Sequence, residues 1–448
     1  MSAESGVVQR QLARVVNIEP GETKAVFAAF LLFFFVLGSY FAIRPARETI
    51  GTLLGRDYVA DLWLYTAIFS IAIIPVYGWL VARVRRSVLL PCLYGSVSLM
   101  LIGLGAGIGA GEVDRDIGAF FYVWISVLNL MLVSIFWSFL LEMFSSEQSR
   151  RLFGFIAAGG TLGALLGPLT TALFADTLGV SGLLYLAAVG FACAVGCQLV
   201  LLSVWKPQAP TQAAAAPDRG VGGNPFAGIT QVFSSPYLMG IAVFVCLLSA
   251  ANTILYFEQL RIVEQTFPDI DRRTQVFASI DVVVQSLTVG TQLFVTGRIA
   301  SRLGVKGLLT LVPLAMIAGF LALAAFQTFA VLAVVYVLRR WGEYALVRPG
   351  REMLFSKLET ETKYKAKSFI DVPVYRFADY VGAQAKTGID AVTASPTVSV
   401  VAGAALAAIW ALNGAWLGRR HDAAPSKPDP LEQERDGPEG AARPATGT

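Results

Sequence analysis

The sequence predicts an all-α membrane protein of twelve transmembrane helices, arranged as two six-helix bundles. Three observations lead there. Of 448 residues, 55% are hydrophobic and only 15% are charged, against roughly 25% charge in a soluble protein, and the mean hydropathy is +0.63. A chain this apolar cannot coat itself for water. The apolar runs fall into six, a polar break, and six more. Short strings also recur at a fixed offset between the two halves.

The elements come in this order. Residues 1–24 are polar and form a cytoplasmic N-terminal segment. The first apolar run, Ala25–Ile43, is long enough to cross the hydrocarbon core at about 1.5 Å per residue. It is too long for a signal-peptide core and lacks an A-x-A site, so it is read as an uncleaved span. Further runs at about 59–81, 87–108, 117–141, 152–174 and 180–204 complete a first bundle over 25–205. Residues 206–229 hold four prolines and four glycines, the composition of a flexible linker, and the linker region is set at 206–235. Runs at about 237–257, 276–295, 307–326, 329–351, 368–392 and 398–417 form a second bundle over 236–417. Residues 418–448, with five prolines, one leucine and no aromatics, read as a disordered cytoplasmic tail.

Lysine and arginine set the orientation. With both termini inside, cytoplasmic segments carry 19 basic residues, including Arg83, Arg85, Arg86, Arg150, Arg151, Arg298, Arg302 and Lys306. The outside loops carry seven: Arg44, Arg47, Arg56, Arg115, Arg261, Arg272 and Arg273. Of these, Arg44 and Arg47 sit with Glu48 just past span 1 and are candidates to extend that helix.

Composition also excludes chemistry. The net charge of +4 is too small to imply nucleic acid. The single histidine, His421, lies in the tail, which removes histidine metal sites and an intramembrane histidine relay. The four cysteines, Cys92, Cys193, Cys197 and Cys246, lie in apolar runs without a CxxC pair and read as small buried fillers. There is no Walker loop, and the glycines at 103, 105, 107, 109 and 111 end span 3 and do not succeed a strand. No enzyme activity, cofactor or metal is expected, and movement of a solute must run on exchange or an ion gradient.

Gly78-x4-Arg83 lies between spans 2 and 3, and Gly297-x4-Arg302 lies between spans 8 and 9, 219 residues later. The same offset relates Gly163-Ala164 to Gly382-Ala383. The repeat implies two equivalent halves, with a substrate site expected between them near the midplane. The Gly-x4-Arg strings resemble the loop 2–3 signature of the major facilitator superfamily, although Ala82 stands where that family usually has an acid. Gly154-x8-Gly163-x3-Gly167-Pro168 resembles its antiporter motif, with Thr171 and Ala172 in place of the final glycines. Glycines at this spacing also simply let two helices approach closely, and that is the favoured reading of the motif.

A resemblance covering most of the chain lies in Tyr40-Phe-Ala-Ile-Arg-Pro-Ala-Arg-Glu48, Phe136-Trp-Ser-Phe-Leu-Leu-Glu142, Arg151–Gly160, Arg348-Pro-Gly-Arg-Glu-Met-Leu-Phe355 and Lys363–Asp371. These are similar to bacterial members of the nucleotide transporter (ATP:ADP antiporter) family, with its NTP/NDP exchange. That resemblance implies a major facilitator-type fold and a transport role. It also implies acids in spans 4 and 8 and a lysine in span 11, matched here by Glu142, Asp281 and Lys386.

Charge inside the bilayer is costly, roughly 2.5–3.5 kcal/mol on insertion scales, and normally faces a cavity. Six basic residues fall within spans: Arg339, Arg340, Arg348, Arg351, Arg376 and Lys386. Asp281, Gln285, Thr288 and Gln292 form a stripe on span 8. Arg340, Tyr344, Arg348 and Arg351 share a face of span 10, and Asp379, Lys386 and Asp390 share a face of span 11. One reading converges these cations on an anion, since guanidinium forks match phosphate oxygens. The other pairs them internally: Arg47 with Glu48, Arg348 with Glu352, Lys386 with Asp390.

The expectation is a monomeric secondary transporter in the bacterial inner membrane, moving a nucleotide or other phosphorylated anion across the lipid bilayer by exchange and alternating access. Arg44, Arg47, Arg348, Arg351, Arg376 and Lys386 are the expected substrate-binding residues. Glu48, Glu142, Asp281, Glu352 and Asp379 are the expected coupling or gating residues. Two alternatives stand beside it: a proton-coupled exporter of lipophilic or organic compounds, and a non-transporting sensor or subunit.

Overall fold

A computed structural model of the chain describes residues 18–19, 21–108, 113–205, 227–294, 296–358, 360–393 and 395–423. The N-terminal segment before residue 18, the linker over 206–226 and the tail from 424 lie outside the described residues. Among the described residues every regular element is a helix.

The helices are α1 (Thr23–Leu54), α2 (Arg56–Arg83), α3 (Arg86–Ile108), α4 (Arg115–Met143) and α5 (Ser146–Val204) in the first half. The second half has α6 (Ala227–Ser234), α7 (Pro236–Thr266), α8 (Ile270–Phe294), α9 (Thr296–Ala325), α10 (Phe329–Gly342) with α11 (Arg348–Leu354), α12 (Thr360–Phe369) with α13 (Tyr375–Thr393), and α14 (Pro396–Ala423). α5 is two passes merged: Gly179, at φ 63°, turns the chain between them without a Cβ penalty. Ser145 and Gln148 start it with a reciprocal capping box. Asp114 caps α4 by accepting from the amides of Asp116 and Ile117.

Among the described residues, eight helices (α1 to α5, α7, α9 and α14) are long and apolar enough to cross a bilayer. Because α5 makes two passes, these supply nine. The other three are α8, α10–α11 and α12–α13, which carry most of the intramembrane charges of the second half. We call the end where residues 205 and 227 lie the linker end, and the opposite one the far end.

Several sequence expectations are corrected. α1 does not stop at Ile43 but continues through Pro45 to Leu54, so Arg44, Arg47 and Glu48 are helical and not loop residues. Arg261 and Arg273 are likewise buried helical residues of α7 and α8. The region expected as linker ends in a short helix, α6, that packs on α12. α14 extends to Ala423, so His421 is helical, with its backbone carbonyl accepting from Lys357 Nζ at 2.7 Å. The cysteines are not buried: Cys92 and Cys193 are exposed on the apolar outer surface, and Cys197 and Cys246 are half-buried.

The glycines of the antiporter-like motif act in packing. Among the described residues, α1 and α5 form the most extensive helix pair. A Cβ at Gly163 would lie 2.3 Å from the Phe34 carbonyl oxygen, and one at Gly167 would lie 2.3 Å from that of Gly38. The equivalent seam of the second half sets Gly382 of α13 against Thr253 of α7, as the repeat requires.

Two apolar clusters result. One joins α1, α3, α4 and both arms of α5, around Phe33, Phe136 and Phe139. The other joins α7 to α14, around Phe244, Phe320 and Trp410, and draws in Val59, Leu62 and Tyr122 from the far ends of α2 and α4. The halves meet through α5 with α8, α1 with α8, and α2 with α13. Their cross-links gather at the far end. Thr49 and Thr274 hydroxyls are 2.7 Å apart, Arg273 donates to Thr52 at 2.9 Å, Gln275 donates to the Ala172 carbonyl at 3.0 Å, and Tyr122 and Tyr256 hydroxyls are 2.7 Å apart.

Candidate functional site

A cavity of about 340 Å³ lies between the two halves, within the range of roughly 300–1,000 Å³ typical of small-molecule sites. From the first half, α1 contributes Arg44, Arg47 and Glu48, α2 contributes Trp63 and Thr66, and α4 contributes Tyr122, Ser126 and Asn129. From the second, α7 contributes Asn252 and Tyr256. α10 and α11 contribute Tyr336, Arg339, Arg340, Glu343, Tyr344, Arg348 and Arg351, and α12–α13 contributes Asp371, Val372, Tyr375, Arg376 and Asp379.

The backbone explains how one helix supplies so many of these. Glu343–Val347 is a π-turn joining α10 to α11, and Ile370–Val374 is a second joining α12 to α13. A π-turn inserts one residue and rotates the next stretch of helix about its axis, a device common at functional sites. Arg339 and Glu343 therefore join the face already formed by Arg340, Tyr344, Arg348 and Arg351.

The charges are paired, but incompletely. Arg47 donates to Ser126 at 2.9 Å and to Glu48 at 2.7 Å. Asp281, buried on α8, is shared by Arg340, which hydrogen-bonds it, and by Arg44 of the other half at 3.7 Å. Glu343 is shared by Arg339 at 2.8 Å and Arg348 at 3.6 Å. Arg351 meets Asp371 at 3.3 Å, and Arg376 meets Asp379 at 3.8 Å. Among the described residues, four buried guanidinium nitrogens of this cavity have no hydrogen-bond partner: Nε of Arg47, Nε of Arg339, and Nε and Nη2 of Arg340. Arg47 stacks over Tyr122 at 5.0 Å, and Arg340 and Arg348 flank Tyr344 at 5.8 and 4.5 Å.

The far end of the cavity is shut by aromatics. Trp63 Nε1 donates to Tyr122 Oη at 2.9 Å, Tyr122 and Tyr256 share a hydrogen bond, and the Trp63 ring lies against Tyr256 and Phe257. Exposure rises towards the linker end: the Arg340 side chain is 3% exposed and that of Arg348 is 58% exposed. Among the described residues the cavity is closed at the far end and open towards the linker end.

A family model described as the Major Facilitator Superfamily matches residues 26–346. The chain belongs to the major facilitator superfamily. It is a membrane transporter of the major facilitator type. No curated protein matches it by sequence. Among solved structures, it is similar to a bacterial homolog of the human lysosomal transporter Spinster in an inward-facing, unoccupied conformation. That match has a TM-score of 0.62 and 14% identity, and covers 92% of this chain and 100% of the other. It is also similar to an autoinhibited POT-family peptide transporter, with a TM-score of 0.62, 15% identity and 90% and 99% coverage. The nucleoside transporter NupG gives a TM-score of 0.59, 14% identity and 89% and 99% coverage.

This facilitator brings most of the sequence-predicted site residues together. Arg44, Arg47, Glu48, Arg348, Arg351, Arg376 and Asp379 line the cavity, and Asp281 meets it through its two arginines. Lys386 does not line it. It is two turns from the far end of α13, where α7 covers it, and it pairs with Glu258 at 2.8 Å and with Asp390. Glu142 sits at the linker end of α4, away from the cavity lining. Glu352 pairs with Lys367 at 2.6 Å at the linker end of α11, instead of with Arg348. The span 8 stripe turns towards α10 below Asp281, where Gln292 donates to the Tyr344 carbonyl at 3.1 Å.

Several cavity residues escaped the expected site set. Arg339 and Arg340 were visible as intramembrane cations but were not placed among the ligands. Glu343 was likewise visible among the span 10 charges but not placed in the site, and Asn129, a lone polar residue in an apolar run, and Asn252, beside Thr253, carried only the signal of a polar side chain within a span. Outside the cavity, Glu258 was also missed because it lies just after the apolar run 237–257; its i, i+3 partner Arg261 holds it at 2.6 Å.

Proposed function

We propose that this facilitator moves a nucleotide or other phosphorylated anion across the bacterial inner membrane by exchange, with both termini cytoplasmic. The observation that carries the reading is the set of arginines from both halves around one cavity, with four buried guanidinium nitrogens unpartnered among the described residues. A desolvated donor without an acceptor is costly, and phosphate oxygens are the acceptors that guanidinium matches best. Tyr122, Tyr336, Tyr344 and Tyr375 supply flat faces for a base or sugar. An exporter of lipophilic compounds has no use for this lining.

In this reading Arg44, Arg47, Arg339, Arg340, Arg348, Arg351 and Arg376 hold the anion. Asp281 holds Arg44 and Arg340 while the cavity is empty, a carboxylate standing where substrate charge will stand. Substrate competes with it, and the Arg44 contact between the halves is then remade through the substrate. The far-end cross-links part as the halves rock, giving alternating access. Labelled nucleotide uptake into proteoliposomes preloaded with unlabelled nucleotide tests this. Uptake above empty liposomes that depends on internal nucleotide is expected, and its absence sinks the substrate assignment.

A further inference from the structure

The intramembrane charges form two groups, and they balance differently. At the far end, Lys386 and Arg261 meet Glu258 and Asp390: two cations and two carboxylates, closed on themselves. Gln265 and Gln327 complete the coordination of Arg261. No net charge is left over for a ligand.

The cavity group is different. Seven arginines line it. Five carboxylates answer them: Glu48, Asp281, Glu343, Asp371 and Asp379. Two positive charges remain. Among the buried nitrogens of the described residues, the unpartnered donors sit on Arg47, Arg339 and Arg340; two buried carboxylate oxygens of the cavity, Glu48 Oε2 and Asp371 Oδ1, also lack a hydrogen-bond partner.

We propose that the cavity is matched to a dianion, and that its substrate is a phosphomonoester carrying two negative charges rather than a di- or triphosphate. This rests on the phosphorylated-anion reading and narrows it. An excess of two charges around one cavity is neutralised by a ligand of charge about −2, and a monoester phosphate carries about −1.5 to −2 near neutral pH. Its three terminal oxygens are strong acceptors, suited to the orphan donors of Arg47, Arg339 and Arg340. A triphosphate overshoots the excess by about two charges and would be left facing Glu48, Glu343 and Asp379 uncompensated. The five tyrosines and Trp63 around the same space fit a ring attached to that phosphate.

The test is competition against labelled nucleoside monophosphate binding to the purified full chain, using unlabelled nucleoside mono-, di- and triphosphate, a hexose monophosphate and the free nucleoside. The monophosphates are expected to compete at least tenfold better than the triphosphate, and the nucleoside hardly at all. Tighter binding of the di- or triphosphate overturns the charge match while leaving the phosphorylated-anion reading in place. Failure of every phosphorylated compound overturns both. Changing the excess gives a second readout. Asp371→Asn, at a carboxylate 24% exposed, raises the excess to three. It is expected to shift the diphosphate-to-monophosphate affinity ratio at least tenfold towards the diphosphate, and Glu343→Gln is expected to shift it the same way. An unchanged ratio in both folded variants overturns the proposal.

Discussion

Arg44 of α1 reaches Asp281 of α8 across the boundary between the two halves, at 3.7 Å, and shares that carboxylate with Arg340. The contact joins two of the sequence's most costly features, an arginine beside a proline and an aspartate in the middle of a span. Removing one partner of a buried pair is costly because the other is left charged and dry, about 3–5 kcal/mol. Asp281→Asn should therefore lower the thermal unfolding midpoint in detergent, and Asp281→Asn with Arg340→Gln should recover part of the loss. A double variant no better than the single one would contradict the pairing.

Lys386 and Arg348 should separate stability from binding. Lys386 is buried against Glu258 and does not line the cavity, so Lys386→Met should destabilise by about 3–5 kcal/mol while leaving the affinity of the surviving folded protein unchanged. Arg348 lies at the mouth, with its side chain 58% exposed. Arg348→Gln should leave the unfolding midpoint within a degree or two and raise the KM for exchange at least several-fold. The reverse pattern would show that the two residues have been assigned to the wrong roles.

The α1–α5 seam predicts a backbone effect. A side chain at Gly167 meets the Gly38 carbonyl oxygen at 2.3 Å, and backbone cannot step aside. Gly167→Val should destabilise by about 1–3 kcal/mol or more, as overpacking does. Gly154→Val should be near neutral, because a Cβ there meets nothing within 4 Å. Unfolding midpoints of the two variants compare them directly.

Closure at the far end predicts a lock. In a chain with its four native cysteines replaced, Thr49→Cys with Thr274→Cys puts sulfurs where hydroxyls now lie 2.7 Å apart. Oxidation should cross-link them and stop exchange, and a reductant should restore it. Full exchange in the cross-linked protein would contradict far-end opening as part of the cycle.

Much of the fold was legible because bilayer thickness and helical rise force one pattern on the sequence. Runs of about twenty apolar residues and the Gly163–Gly382 offset were enough to count passes and halves. Arginines of span 10 were legible because arginine has no apolar excuse there. What hid was tertiary. The apolar run ends at Ile43, but α1 runs on through Pro45, and that places Arg44 and Arg47 at the cavity. Lys386 reads as a ligand until α7 lays Glu258 against it. The two π-turns leave no mark in the residue spacing, so the joint arrival of Arg339 and Arg340 at one cavity could be seen only in the fold.

The central claim, that the cavity binds through phosphate, is tested most directly by calorimetric titration of the purified protein with a nucleotide and with its nucleoside, repeated on Arg340→Gln. Recognition through phosphate predicts binding of the nucleotide, at least a hundredfold weaker binding of the nucleoside, and loss of most of that difference in Arg340→Gln. Equal binding of nucleotide and nucleoside, or a nucleotide affinity unchanged by Arg340→Gln, would contradict it.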